Sequence, residues 1–254
     1  MADGKSLIHH LISIAIRSIA VEAIWEGLHL RCWNREQLLS LESKLNKLQP
    51  RRELTTALRV EAIATDQVLD LMGSKPQLLV EMADQGGDAN LGSWLIAPWV
   101  DHNRANSLLH FHHGLIAPLK SQASYTEVGA IANRHSERAA AASILRPRRL
   151  LAGLATPALI SAIASTARNE AELVQAATAC TLERYFLVHR DYPDTIEALT
   201  PKFRATIPLD PIDHQPMRYQ KTDDGRYQLH SIGWDGVDNS GSETDIVWNY
   251  KNPE

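Results

Sequence analysis

The sequence predicts an α+β protein: a mostly helical N-terminal region, then one long helix, then a small antiparallel β-sheet. Three observations carry this prediction. Apolar residues recur at three- and four-residue spacing through most of the first 190 residues, the spacing changes to alternation after Pro216, and proline and glycine cluster where the period changes. The 254 residues are enough for two modest cores, and an apolar share of 44% with 22% charged residues is ordinary for a folded chain. Residues 1–150 read as an all-α helical domain and residues 151–254 as an α+β domain.

Taken in order, Ile8, Ile12, Ile16, Ile19 and Ala23 mark one face of a long amphipathic helix. Asn34 can cap a second helix carrying Leu38, Leu41, Leu45 and Leu48, closed at Pro50. A third carries Leu54, Leu58, Ala62, Leu69 and Met72. The stretch DQGGDANLGS, Asp84 to Ser93, reads as a loop, with further helices near Asn103 to Leu115 and Tyr125 to Ser143. Pro147 disfavours helix before it and marks the expected domain boundary. After Pro157 a long helix places Val174, Thr178, Leu182, Tyr185 and Phe186 on one face and ends near HRDYPD. MRYQK and RYQLHSI then alternate as strands joined through TDDG, a hairpin signal, and DIVWNY reads as a third strand.

Charge narrows the function classes. Residues 1–150 hold 17 Lys and Arg against 15 Asp and Glu, and residues 151–254 hold 9 against 15, so the chain is net acidic at −4. That balance argues against a nucleic-acid partner, which requires a basic surface. The one basic cluster, Arg134, Arg138, Arg146, Arg148 and Arg149, has no interleaved aromatics and reads as a solvated helix end and loop. Cys32 and Cys180 are isolated from any zinc-type spacing, and Cys180 sits in an apolar helical stretch that suits a buried thiol. No uncharged run reaches the roughly 18–20 residues that span a bilayer, so the chain as given reads as soluble.

Between the last two strands, SIGWDGVDNSGSETDIVW gathers Asp235, Asp238, Glu243 and Asp245 with no Lys or Arg. Calcium prefers six to eight oxygens from carboxylates, carbonyls and hydroxyls on a flexible loop, and this loop offers all three kinds. A solvated acidic turn accounts for the same composition. Magnesium suits a long flexible loop less well, and zinc has only His230 nearby. A second cluster, DHNRANSLLHFHHG, holds Asp101, His102, His110, His112 and His113. His110 and His113 would share a helix face, as an acid/base pair or metal ligands require, so an enzyme with a histidine site in the helical region is the alternative reading. No HExxH, phosphate-binding loop or GxSxG pattern accompanies it, and HRD at His189 to Asp191 lacks the other kinase elements.

The C-terminal residues resemble the globular domain of the major pseudopilin of type II secretion. The family's long helix ends in Tyr before a Tyr-Pro turn, as at Tyr185 and Tyr192-Pro193. Its Ala-Leu short helix, LPxDP and PYxY elements are similar to Ala198-Leu199, Ile207 to Pro211, and Pro216 to Tyr219, and its final YxxxSxGxDG…DI to Tyr227, Ser231, Gly233, Asp235-Gly236 and Asp245-Ile246. The resemblance covers roughly the last 85–100 residues. It implies a structural Ca²⁺ in the closing loop, with carboxylates at Asp235 and Asp245, and with Asp238, Ser240 and Ser242 in reach as further ligands. The chain departs from the family in having no leader or very apolar helix just ahead of the long helix, and in a longer DPIDHQP turn without the family's Gly. The whole chain resembles bacterial envelope proteins that carry a helical region ahead of such a module. Expected from this are a non-catalytic binding or assembly role on the extracytoplasmic side of the cell envelope, a protein partner or self-assembly, and membrane association only through an anchor absent from this chain.

Overall fold

Residues 6–75, 89–140, 150–242 and 244–249 are described by a computed structural model. The expected boundary at Pro147, the start of the DQGGDANLGS loop and Glu243 lie outside the described residues. Helices α1 (Leu7–His29), α2 (Arg35–Leu45) and α3 (Pro50–Ser74) come first. Next is α4 (Ala89–Leu109), which passes into a π-helical stretch at His110–Ile116 and a short α5 (Ala117–Lys120). Then follow α6 (Tyr125–Ala140) and α7 (Leu150–His189), a 3-10 turn at Ile196–Leu199, and strands β1 (Arg218–Lys221), β2 (Tyr227–Ser231) and β3 (Ile246–Asn249). The fold class is α+β, as the change of period predicts.

Local chemistry explains most element ends. Asn34 closes a capping box at α2, accepting from the Gln37 N–H at 3.0 Å while the Gln37 side chain accepts from the Asn34 N–H at 2.9 Å. Pro50 opens α3, where its missing N–H would be unpaired in any case. Two expectations shift. Part of the predicted Asp84–Ser93 loop, from Ala89 onward, is helical. The long helix also begins before Pro157 and runs through it, because a single missing donor does not outweigh the Ala- and Leu-rich turns on either side.

The chain forms two compact units that interleave along the sequence: Met1–His10, Arg52–Ala123 and Glu127–Ile163 in one, and Leu11–Arg51, Ser124–Thr126 and Ala164–Glu254 in the other. The expected 1–150 and 151–254 domains divide the chain once, whereas these units cut across that line. The second unit's core shows why. Val21, Ile24 and Leu28 of α1 and Leu38 and Leu45 of α2 share one cluster with Leu173, Ala177 and Leu182 of α7 and with Tyr227, Leu229 and Trp248 of the sheet. Each fully buried large side chain there contributes roughly 1.5–3 kcal/mol. Thr178, the polar member of the predicted α7 face, is fully buried and returns its hydroxyl to the Val174 carbonyl at 2.7 Å. Cys180 is buried, and burial pushes its thiol up to about 12. In the first unit Leu54, Leu58, Val100, Leu115, Val128 and Ile163 are all fully buried.

The predicted face of α1 is turned outward. Ile8, Ile12, Ile16 and Ile19 are 54–68% exposed, and the buried positions are His10, Val21, Ile24 and Leu28 on the other side. By length and composition α1 could also cross a membrane, an 18-residue window of it having a mean hydropathy of 1.6. Arg17 interrupts the uncharged run, so a search for uninterrupted apolar sequence passes over this helix.

The sheet has the order β1-β2-β3, antiparallel throughout, with Lys221 opposite Tyr227 at the hairpin and Ser231 opposite Ile246 at the neck of the acidic loop. The TDDG hairpin turn is closed by Thr222 N–H to the Arg226 carbonyl at 2.9 Å, with Gly225 at a φ of 74°.

Candidate metal centre

β2 and β3 hold the two ends of the acidic loop. From α7, Gln175 donates to the Ile246 carbonyl at 2.6 Å, which fixes the start of β3 next to Asp245. Gly233 lets the loop close on itself: a Cβ there would lie 2.5 Å from the Thr244 carbonyl oxygen. Gly241 turns at a φ of 79°, and a Cβ there would meet Gln228 Nε2 at 2.0 Å. The loop is therefore tied at both ends and folded tightly between them.

Within it, ligand atoms of His230, Asp238 and Asp245 all lie within 4.8 Å of one another. Asp245 is only 8% exposed. Its Oδ2 accepts from the Asn239 N–H at 3.0 Å and the Gly241 N–H at 2.8 Å, while its Oδ1 is buried with no hydrogen-bond partner among the described residues. A buried carboxylate oxygen with no donor is costly, and a cation would remove that cost. Asp238 accepts from the Ser240 N–H at 2.9 Å and meets His230 Nε2 at 3.2 Å and Arg218 Nε at 3.1 Å. The Ser240 N–H holds its carboxyl below the usual range against some desolvation, with His230 and Arg218 adding to the effect.

The other expected ligands are placed differently. Asp235 stands outside the converging group: it accepts from Thr244 Oγ1 at 2.6 Å and the Val237 N–H at 3.2 Å, and these two donors, Thr244 first, hold its carboxyl low. Ser242 gives its hydroxyl to the Asn239 carbonyl at 2.6 Å, and Ser240 sits in the left-handed region at a φ of 56°. These three shape the loop around the Asp238–Asp245 pair. His230 joins that pair, although from sequence it is one strand residue with no soft ligands beside it. Its register opposite Val247 of β3 is what brings its ring to the loop.

Beneath the loop lies a network centred on Asp210 of the IPLDP stretch, which is fully buried. Its carboxylate accepts from Ser231 Oγ at 2.7 Å, the Ile212 N–H at 2.9 Å and the Ile232 N–H at 3.1 Å, and pairs with Arg218 Nη1 at 2.9 Å. Arg218 also binds Asp213 at 2.6 Å, so one guanidinium links Asp210, Asp213 and Asp238. Burial pushes the Asp210 carboxyl up, its hydrogen-bond donors opposing. At Asp213 burial is again the largest influence and acts in the same direction, but the Arg218 bond and charge together with the Gln215 N–H outweigh it and the carboxyl lies low.

The histidine cluster does not converge. His102, His112 and His113 are exposed, and His110 alone is buried. His110 Nε2 meets Thr156 Oγ1 at 3.0 Å, and its ring lies 5.9 Å from that of His135. Burial, then the neighbouring His135, lowers its basicity. The π-helical stretch explains why His113 does not follow His110: a wider turn carries the third residue off the shared face.

No protein-family model, curated protein or solved structure matches this chain.

Proposed function

We propose that this chain is a non-catalytic binding or assembly protein of the cell envelope, in which α7, the three-stranded sheet and the closing loop form a pseudopilin-like module stabilised by calcium. The single observation that carries the reading is Asp245: a buried carboxylate with one oxygen lacking a donor among the described residues, facing Asp238 across the same loop. The donor set fits a hard cation, since two carboxylates and the oxygens of a Gly- and Ser-rich turn are what calcium takes. Asp238 and Asp245 would hold the ion, and Asp235, Ser240 and Ser242 would keep the turn in shape. Binding only to the folded loop stabilises it, so the ion acts on the integrity of a surface offered to a protein partner or to further copies of the chain.

His230 favours a second reading at the same site. An imidazole with two carboxylates suits a transition ion such as Zn²⁺ or Mn²⁺. Titration calorimetry with CaCl₂, ZnCl₂ and MnCl₂ separates the two. Calcium binding lost in Asp238→Asn and kept in His230→Ala supports the oxygen-ligated site, and zinc or manganese binding lost in both variants supports the second. No heat with any of the three ions would remove the site. Sedimentation velocity in calcium and in EDTA then tests whether the occupied loop promotes assembly.

A further inference from the structure

α1 carries an exposed apolar face that takes no part in the acidic loop. Ile8, Leu11, Ile12, Ile16 and Ile19 are 39–68% exposed, and Ala15 and Ala20 are exposed beside them. At 100° per residue the large side chains cover an arc of about 140°. From Leu7 to Val21 this face carries no Asp, Glu, Lys or Arg; its polar edge residues are His9, which bonds Ser6 Oγ at 2.7 Å, and the half-buried Ser18. Glu22 and Glu26, both exposed, mark where the apolar band stops. The charged residue within the band, Arg17, is half-buried on the opposite side, and Ser18 is tied to Glu172 of α7 at 3.1 Å.

We propose that α1 lies flat on a lipid bilayer, with its Ile8–Ile19 face sunk into the boundary between headgroups and acyl chains. Three features select lipid over a protein partner. A coiled-coil seam is flanked by charged positions that set partner and register, and this arc has none between Leu7 and Val21. An 18-residue window of α1 has a mean hydropathy of 1.6, in the range of membrane helices, although Val21, Ile24 and Leu28 are committed to the core with α7. That commitment prevents the helix from standing upright in the bilayer and leaves the interface as the place where one face is wet by hydrocarbon. The band is also about 17 Å long, from Ile8 to Ile19 at 1.5 Å per residue, which is too short to span a hydrocarbon core of about 30 Å.

Flotation of the full chain with vesicles of phosphatidylcholine alone, and with added phosphatidylglycerol, tests this. The protein is expected to float with the neutral vesicles. Anionic lipid should change the bound fraction by no more than about twofold, because no Lys or Arg among the described residues borders the face. Replacing Ile12, Ile16 and Ile19 together by Ser should cut partitioning about tenfold or more at an unchanged melting temperature. Should that variant melt early, Ile8→Ser with Leu11→Ser at the open end of the helix serves in its place. Absence of flotation by the unaltered chain overturns the proposal, as does flotation only with anionic vesicles. A chain that is dimeric without lipid, becomes monomeric in the Ser variants and never floats would assign the face to a second copy.

Discussion

The acidic loop between β2 and β3 and the histidine-rich stretch from His102 to His113 look equally promising as residue lists, and they fold to opposite outcomes. In the loop, two strands and a glycine-constrained turn bring His230, Asp238 and Asp245 within 4.8 Å of one another. In the histidine stretch, the helix spreads its residues around an axis, and the π-helical turn breaks the one pair that regular spacing would align. Side chains on one helix converge only at three- and four-residue spacing, whereas a loop tied at both ends can fold residues from its two sides onto one point. The difference is one of backbone, since both stretches are rich in groups able to bind an ion.

The largest way to break the contrast is to remove what supports the loop. Arg218→Met would leave the fully buried Asp210 without its cation, and urea unfolding should show a loss of about 3 kcal/mol or more. A loss below about 1 kcal/mol would mean that the network is not what anchors the loop.

Next, His230→Ala sharpens the assignment of the ion. Zinc or manganese affinity should fall about tenfold or more, equivalent to about 1.4 kcal/mol, and calcium affinity should hardly change. Equal losses for all three ions would place His230 in the calcium site as well.

The two regions should also respond to pH in different windows. Asp213 and Asp238 have carboxyls held below the ordinary value of 3.8, so their contribution is complete above that pH and is lost as pH falls through their lower folded values. His110 is held below 6.5 by burial, so the first unit should lose stability as pH falls below 6.5 and through the lower folded value of that ring. Unfolding midpoints between pH 3 and 7 should therefore weaken in two stages, the upper one absent in His110→Gln. A single stage near pH 4 would show that His110 protonates without cost.

The smallest effects belong to the dispersed histidines. His102→Ala, His112→Ala and His113→Ala should each change stability by no more than about 0.5 kcal/mol and leave any cation response intact. A lost response in one of them would restore that stretch as a binding site.

These contrasts show where sequence reading succeeds. The Asn34 cap, the switch from helical spacing to alternation, the hairpin at TDDG and the loop between the last strands are local signals written within a few residues, and all are present as predicted. What was not legible depends on long-range packing. Which face of α1 is buried follows from its contact with α7, and its isoleucine stripe points the other way. In the loop, the resemblance names Asp235 and Asp245, with Asp238 in reach; side-chain packing brings Asp238 and Asp245 together with His230 and leaves Asp235 bonded to Thr244. His230 enters only through its strand register, and the Asp210–Arg218 network depends on a turn that brings together residues eight apart.

The most direct test of the central claim is the melting temperature of the unaltered chain and of Asp245→Asn in millimolar CaCl₂, MgCl₂ and EDTA. A calcium-specific rise in the unaltered chain is predicted, corresponding to about 2.7 kcal/mol at a hundredfold excess over Kd, and absent from Asp245→Asn. No rise in the unaltered chain, or the same rise in both, would contradict a calcium-stabilised loop and leave Asp245 as a carboxylate held by the Asn239 and Gly241 N–H groups alone.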